Sequence, residues 1–194
     1  MKWTSLLFLI ALGAASAAEQ RTPYAVQQAL NDAVVRERQA IARYEAFAVK
    51  AEAEGYGGVA SLFHAAASSE AVHLRRFTAM MKERGLTPPL DPARPVTVGS
   101  TRENLTAAVA AELAERDGAY REAIEACTTN RDAEAAKVFD QTRDAEVEHA
   151  NLCTEAARNL EQMKAPKEYE VCPRCGYTSS LRLGFCPLCR QAIR

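Results

Sequence analysis

Four glutamates stand on helical faces that should be buried, and this constrains the chain more than any other feature. A helix turns about 100° per residue, so positions three, four and seven apart share a face. On that face Glu37 is flanked by Val34, Ile41, Tyr44 and Ala48, and Glu70 by Phe63, Ala66, Ala67, Leu74 and Phe77. Glu112 has Leu105, Ala108, Val109 and Ala119, while Glu146 has Phe139, Thr142, Ala150 and Cys153. An ionised carboxylate buried alone is strongly unfavourable, and four together repel one another. No matching set of lysines or arginines occupies these stripes. Divalent cations would resolve both problems. Glu115 adds a fifth inward carboxylate, and His73 and His149 each add a nitrogen three residues after a glutamate. Five carboxylates and two histidines suit a pair of bridged ions, and the mixed oxygen and nitrogen set favours iron or manganese. A solvated helix face accounts for one such glutamate, not for seven ligands at symmetric spacing.

The surrounding pattern predicts an all-α protein of four long helices. Thr22-Pro23 reads as an N-cap and first-turn proline, with a helix to about Glu54. Gly55, Gly57 and Gly58 break it, and a second helix runs from about Val59 to Arg84. Leu86 to Gly99 carries four prolines and reads as an extended crossover. Ser100 and Glu103 form a capping-box signature for a third helix, to about Thr128. Asn130 is placed as cap of the fourth, which runs to about Met163. Two hairpins joined by a long crossover make a ferritin-like four-helix bundle, spanning 22–163. It also looks duplicated: Glu37 precedes Glu70 by 33 residues, Glu112 precedes Glu146 by 34, and each half ends in Glu-x-x-His.

Composition agrees. The chain has 194 residues, 48% hydrophobic, with 24 basic and 25 acidic side chains, so it can bury one substantial core and carries no basic field for nucleic acid. Residues 1–18 read as a secretion signal: Lys2, an apolar run from Leu6 to Leu12, and small residues at Ala15 and Ala17. Cleavage is expected near Ala17/Ala18, with export to the periplasm; an uncleaved anchor is the alternative. The stretch is too short for a stable membrane span.

Four of the six cysteines lie near the C-terminus, in residues 170–194, as Cys172-x-x-Cys175 and Cys186-x-x-Cys189. Paired units of this kind bind one tetrahedral ion, iron or zinc, with a disulfide as a third reading. Cys127 and Cys153 are expected about 30 Å apart along the axis, too far for a disulfide, and are predicted to pack as unpaired apolar groups. Tyr44 and Tyr120 are weighed equally as core residues and as hydrogen-bond donors to a metal ligand or bound oxygen species. Glu148, Glu155 and His64 point away from the glutamate face and are expected outside.

The stretch from Glu37 to Ala48, Glu70 with His73, Asn104-Leu105 before Glu112 and Glu115, Glu146 with His149, and the cysteine tail together resemble rubrerythrin over about residues 23–190. The resemblance implies a peroxidase reducing hydrogen peroxide to water. It implies two bridged irons held by Glu70 and Glu146, with Glu37, Glu112 and His149 as terminal ligands. Glu115 and His73 would exchange at one iron as its oxidation state changes. A rubredoxin-like iron would return electrons one at a time, between the subunits of a homodimer. Arg190 stands where the family usually has glycine, which bears on potential or on a preference for zinc. Export puts the identity of the redox donor protein in doubt. Two other functions compete: an iron-oxidising or iron-holding protein with a structural zinc tail, and an interaction protein whose tail, basic through Arg174, Arg182, Arg190 and Arg194, docks an acidic partner.

Overall fold

The computed structural model describes residues 22–193; the expected secretion signal and Arg194 lie outside them. Helix α1 spans Tyr24–Ala53 and α2 Gly57–Glu83. After the crossover come α3, Thr101–Ala114, and α4, Tyr120–Thr129, joined by a five-residue π-helical turn, Glu115–Ala119. Helix α5 runs Ala133–Arg158 and ends in a 3₁₀ turn, Leu160–Gln162. A short antiparallel pair, β1 (Glu170–Val171) and β2 (Thr178–Ser179), opens the cysteine tail.

The helices pair as two hairpins, α1 with α2 and α3–α4 with α5. The proline-rich segment crosses from one pair to the other without regular structure. It is held against α1: Gln39 Nε2 donates to the Arg94 carbonyl (3.2 Å), and the Arg94 N–H donates back to Gln39 Oε1 (2.7 Å). The Ser100–Glu103 capping box is present. Two other caps differ from expectation. Pro23 rather than Thr22 occupies the N-cap of α1, with no side-chain cap. Asp132, not Asn130, caps α5 by accepting from the Ala135 N–H, because Asn130 closes α4 instead. Of the three glycines expected to end α1, only Gly55 does so, at φ +78°; Gly57 and Gly58 begin α2.

The core is two apolar plugs. One gathers Tyr44, Phe47, Phe63, Leu105, Leu152 and Cys153; the other Leu30, Phe77, Met81, Tyr120, Cys127 and Phe139. The glutamates lie between them. All six cysteines are free, and Cys127 and Cys153 are buried in different plugs, as expected. Among the described residues no helix is long and apolar enough to cross a membrane.

Candidate metal centre

Each helical quarter of the bundle supplies one glutamate: Glu37 from α1, Glu70 from α2, Glu112 from α3 and Glu146 from α5. None is more than 1% exposed. Two ligand groups result. Glu37, Glu70, His73 and Glu146 form one; Glu70, Glu112, Glu146 and His149 form the other. Within each, the ligand atoms lie within 4.8 Å of one another. Glu70 and Glu146 belong to both groups, which is the arrangement two bridged ions require.

Both imidazoles turn Nδ1 inward. His73 Nδ1 lies 2.9 Å from Glu70, 3.3 Å from Glu146 and 3.7 Å from Glu37. His149 Nδ1 lies 2.9 Å from Glu146, 3.2 Å from Glu70 and 4.0 Å from Glu112. Glu37 Oε2, Glu70 Oε1 and Glu146 Oε1 are buried without a hydrogen-bond partner. Buried polar atoms are nearly always satisfied, so these three oxygens mark where cations belong. The donor set of carboxylates and imidazoles fits iron.

The electrostatics agree. Burial pushes Glu37 and Glu112 well above the usual carboxylate range. Burial acts the same way on Glu70 and Glu146, but the two histidines outweigh it and hold both low. Burial would lower His73 and His149, yet the carboxylates, Glu146 on His73 and Glu70 on His149, raise both well above 6.5. The cluster holds more negative charge than its own residues neutralise, and it attracts protons or metal ions.

The tyrosines cross between the halves. Tyr44 on α1 donates to Glu112, and Tyr120 on α4 donates to Glu37. Both are fully buried, so each fills a plug and at the same time donates to a buried glutamate. Regular winding would leave Tyr120 about 80° from Glu112. The π-helical turn, whose wider hydrogen-bond rings wind more slowly, removes most of that offset and brings Tyr120 onto the inward face.

Glu115, at the start of that turn, stands outside both ligand groups. It faces Arg43 at 3.7 Å, and burial, then Glu146 and Glu70, raise it to about 7. Arg43 also lies 3.6 Å from Glu112, and it covers the Tyr44 ring. One cation thus reaches the cluster, though no matching set lines the stripes; in the sequence, the position of Arg43 reads only as a flank of the α1 face. The controls behave as expected for Glu155 and His64, which are exposed, His64 lying 3.4 Å from Glu52; Glu148 is half-buried.

The cysteine tail forms the second site. Sγ atoms lie 3.7 Å apart for Cys172 and Cys189 and 3.5 Å for Cys175 and Cys186. Four thiolates about 2.3 Å from one tetrahedral ion sit about 3.8 Å apart, whereas a disulfide needs about 2 Å. The two knuckles match in backbone. Gly176 (φ +84°) and Arg190 (φ +61°) both take the left-handed turn, and their N–H groups donate to Cys172 (2.9 Å) and Cys186 (3.0 Å) carbonyls. Arg190 therefore keeps the turn that glycine would provide. Gly176 has no such latitude, because a Cβ there would collide with His73 Nε2.

The tail lies on its own bundle. The chain turns back where Gly57 and Gly58 N–H groups donate to the Lys164 and Met163 carbonyls (3.0 and 2.8 Å). The first knuckle then meets the carboxylate cluster: His73 Nε2 donates to the Cys175 carbonyl at 3.0 Å, and Ser69 Oγ donates to the Gly176 carbonyl. The resemblance implies transfer between subunits; the contact found here is within one chain.

Comparison with known proteins points the same way. The family described as Rubrerythrin matches residues 28–157. The chain is 33% identical over 159 residues to the rubrerythrin of Porphyromonas gingivalis, covering 79% of each. It is 29% identical over 163 residues to the nigerythrin of Nitratidesulfovibrio vulgaris, covering 82% of this chain and 79% of that one. The solved structure of partially reduced nigerythrin superimposes with a TM-score of 0.78 at 26% identity, over 100% of this chain and 97% of the other. A bacterioferritin of Mycobacterium tuberculosis, at 19% identity and TM-score 0.67 over 73% of this chain and 89% of that one, shares the fold.

Proposed function

The chain belongs to the rubrerythrin family, and on that premise we propose that it is a non-haem diiron peroxidase reducing hydrogen peroxide to water. The observation that carries this is the contact of His73 Nε2 with the Cys175 carbonyl, which joins a ligand of one metal site to a ligand of the other. The reaction is H₂O₂ + 2 e⁻ + 2 H⁺ → 2 H₂O. Two ferrous ions in the bundle would supply both electrons, and a tail iron held by the four cysteines would return them singly.

The chain's own residues do the rest. Glu70 and Glu146, common to both ligand groups, would hold both ions, and Glu37 and Glu112 one each, with a tyrosine hydroxyl donating to each of the latter two. His149 and His73 provide one nitrogen each. Glu115, parked against Arg43, would be the carboxylate that takes the place of His73 as the ion's oxidation state changes and, near neutrality, is the group best placed to hold a transferable proton. Cys172, Cys175, Cys186 and Cys189 hold the tail ion. Residues 1–18 support a periplasmic site of action, with a redox protein as electron donor and a homodimer as the assembly.

The test is elemental analysis of the mature exported protein, with a visible spectrum and a peroxide-consumption assay. About three irons per chain with ferric-thiolate absorption, and peroxide consumed with a one-electron donor, is the expected result. Two irons with one zinc would break the internal path and favour iron oxidation or storage. A bundle without iron or manganese would overturn the diiron reading.

A further inference from the structure

His149 Nε2 lies 3.1 Å from Thr178 Oγ1. Thr178 is fully buried on β2, in the tail, while His149 is on α5, in the bundle. The Thr178 hydroxyl has one proton, which it donates to the Gly176 carbonyl at 3.1 Å. A hydroxyl that is already donating can only accept from its other neighbour. His149 Nε2 must therefore carry a hydrogen, and Nδ1, 2.9 Å from Glu146, is the nitrogen left to hold an ion once its own hydrogen is displaced. The same logic fixes His73, whose Nε2 faces the Cys175 carbonyl, an acceptor only. For His73 the partner is backbone and survives any substitution at 175. For His149 it is a side chain.

We propose that Thr178 is a positioning residue for the bundle's metal centre: a tail hydroxyl that selects the tautomer and ring orientation of His149. This rests on the diiron reading above. Outer hydrogen bonds of this kind fix the ring of a metal-bound histidine, and losing one typically costs about 10–100-fold in metal affinity. The tail thus completes the bundle site structurally, apart from any electrons it delivers.

The experiment is anaerobic titration of the metal-stripped full-length protein with ferrous ion, following each bundle ion by calorimetry and the tail ion by its thiolate absorption. Thr178→Val keeps the shape and removes the acceptor; Thr178→Ser restores it. Ser69→Ala loosens the same joint without touching His149, since Ser69 Oγ donates only to the Gly176 carbonyl. Thr178→Val is expected to weaken one of the two bundle ions about 10–100-fold. The other bundle ion and the thiolate absorption should hold, Thr178→Ser should recover most of the loss, and Ser69→Ala should stay near wild type. Thr178→Val binding both ions within twofold of wild type overturns the inference. So does an equal loss in Ser69→Ala, which would reduce Thr178 to a docking contact. Wild type taking up no bundle iron would overturn the diiron reading, and this inference with it.

Discussion

At the scale of single residues, the centre depends on small groups that finish what the ligands begin. Tyr44 and Tyr120 each hold one oxygen of a terminal glutamate and leave the other free. Replacing either by phenylalanine leaves a buried carboxylate without its donor, and peroxide consumption per bundle iron is expected to fall about tenfold. Asp132 shows the same economy away from the site. It caps α5, and burial, which would raise its carboxyl, is outweighed by Arg84, which holds it below 3.8. Asp132→Ala should cost about 1 kcal/mol in urea unfolding at pH 7. A carboxyl lowered on folding contributes above its unfolded pKa and stops contributing as pH falls through its folded one. The deficit should therefore shrink below pH 3.8. The glutamates and histidines were legible in the sequence because a charge on an apolar helical face needs a reason. Arg43 and Thr178 were not: one sits at the flank of its face, and the other gains its role only when the tail folds back.

At the scale of elements, the sequence made the helices readable and hid their junctions. Apolar spacing marked α1, α2 and α5 to within a few residues, and four prolines marked the crossover. The third helix was expected to be continuous, and it is interrupted by the π-helical turn at Glu115–Ala119. The signal was present as a mismatch: Tyr120 has no reason to be buried if regular winding sets it about 80° from Glu112. Deleting Gly118, which has no neighbour within 4 Å of a built Cβ, should restore regular winding without a steric clash of its own. Tyr120 would then stand seven residues after Glu112, about 20° off its face, so Tyr120, Ala123 and Cys127 would stay in their plug. The expected outcome is unfolding stability within about 1 kcal/mol of wild type, with the Tyr120–Glu37 bond kept; a loss near ~3 kcal/mol would show that the turn itself holds the plug together.

At the scale of the whole molecule, the tail sits against the bundle of the chain that carries it. Two defective variants, Cys175→Ser in the tail and Glu146→Gln in the bundle, can be co-expressed and assayed for peroxide turnover with a one-electron donor. If relay runs within a chain, the mixture does no better than the two alone. Restored turnover would assign the relay to a partner's tail. The pairing of tail with bundle was beyond sequence reasoning, since nothing in the linker from Lys164 to Tyr169 states where it turns back. The tail is also the one element with no counterpart. The bundle repeats itself, glutamate for glutamate and histidine for histidine, yet a single appendage caps both imidazoles and cannot treat them alike. His73 meets an amide oxygen that every residue at 175 would supply; His149 meets a hydroxyl that one nucleotide change can delete. A gene duplication would have delivered two equal halves; the lone tail makes one of them fixed and leaves the other open to adjustment by mutation.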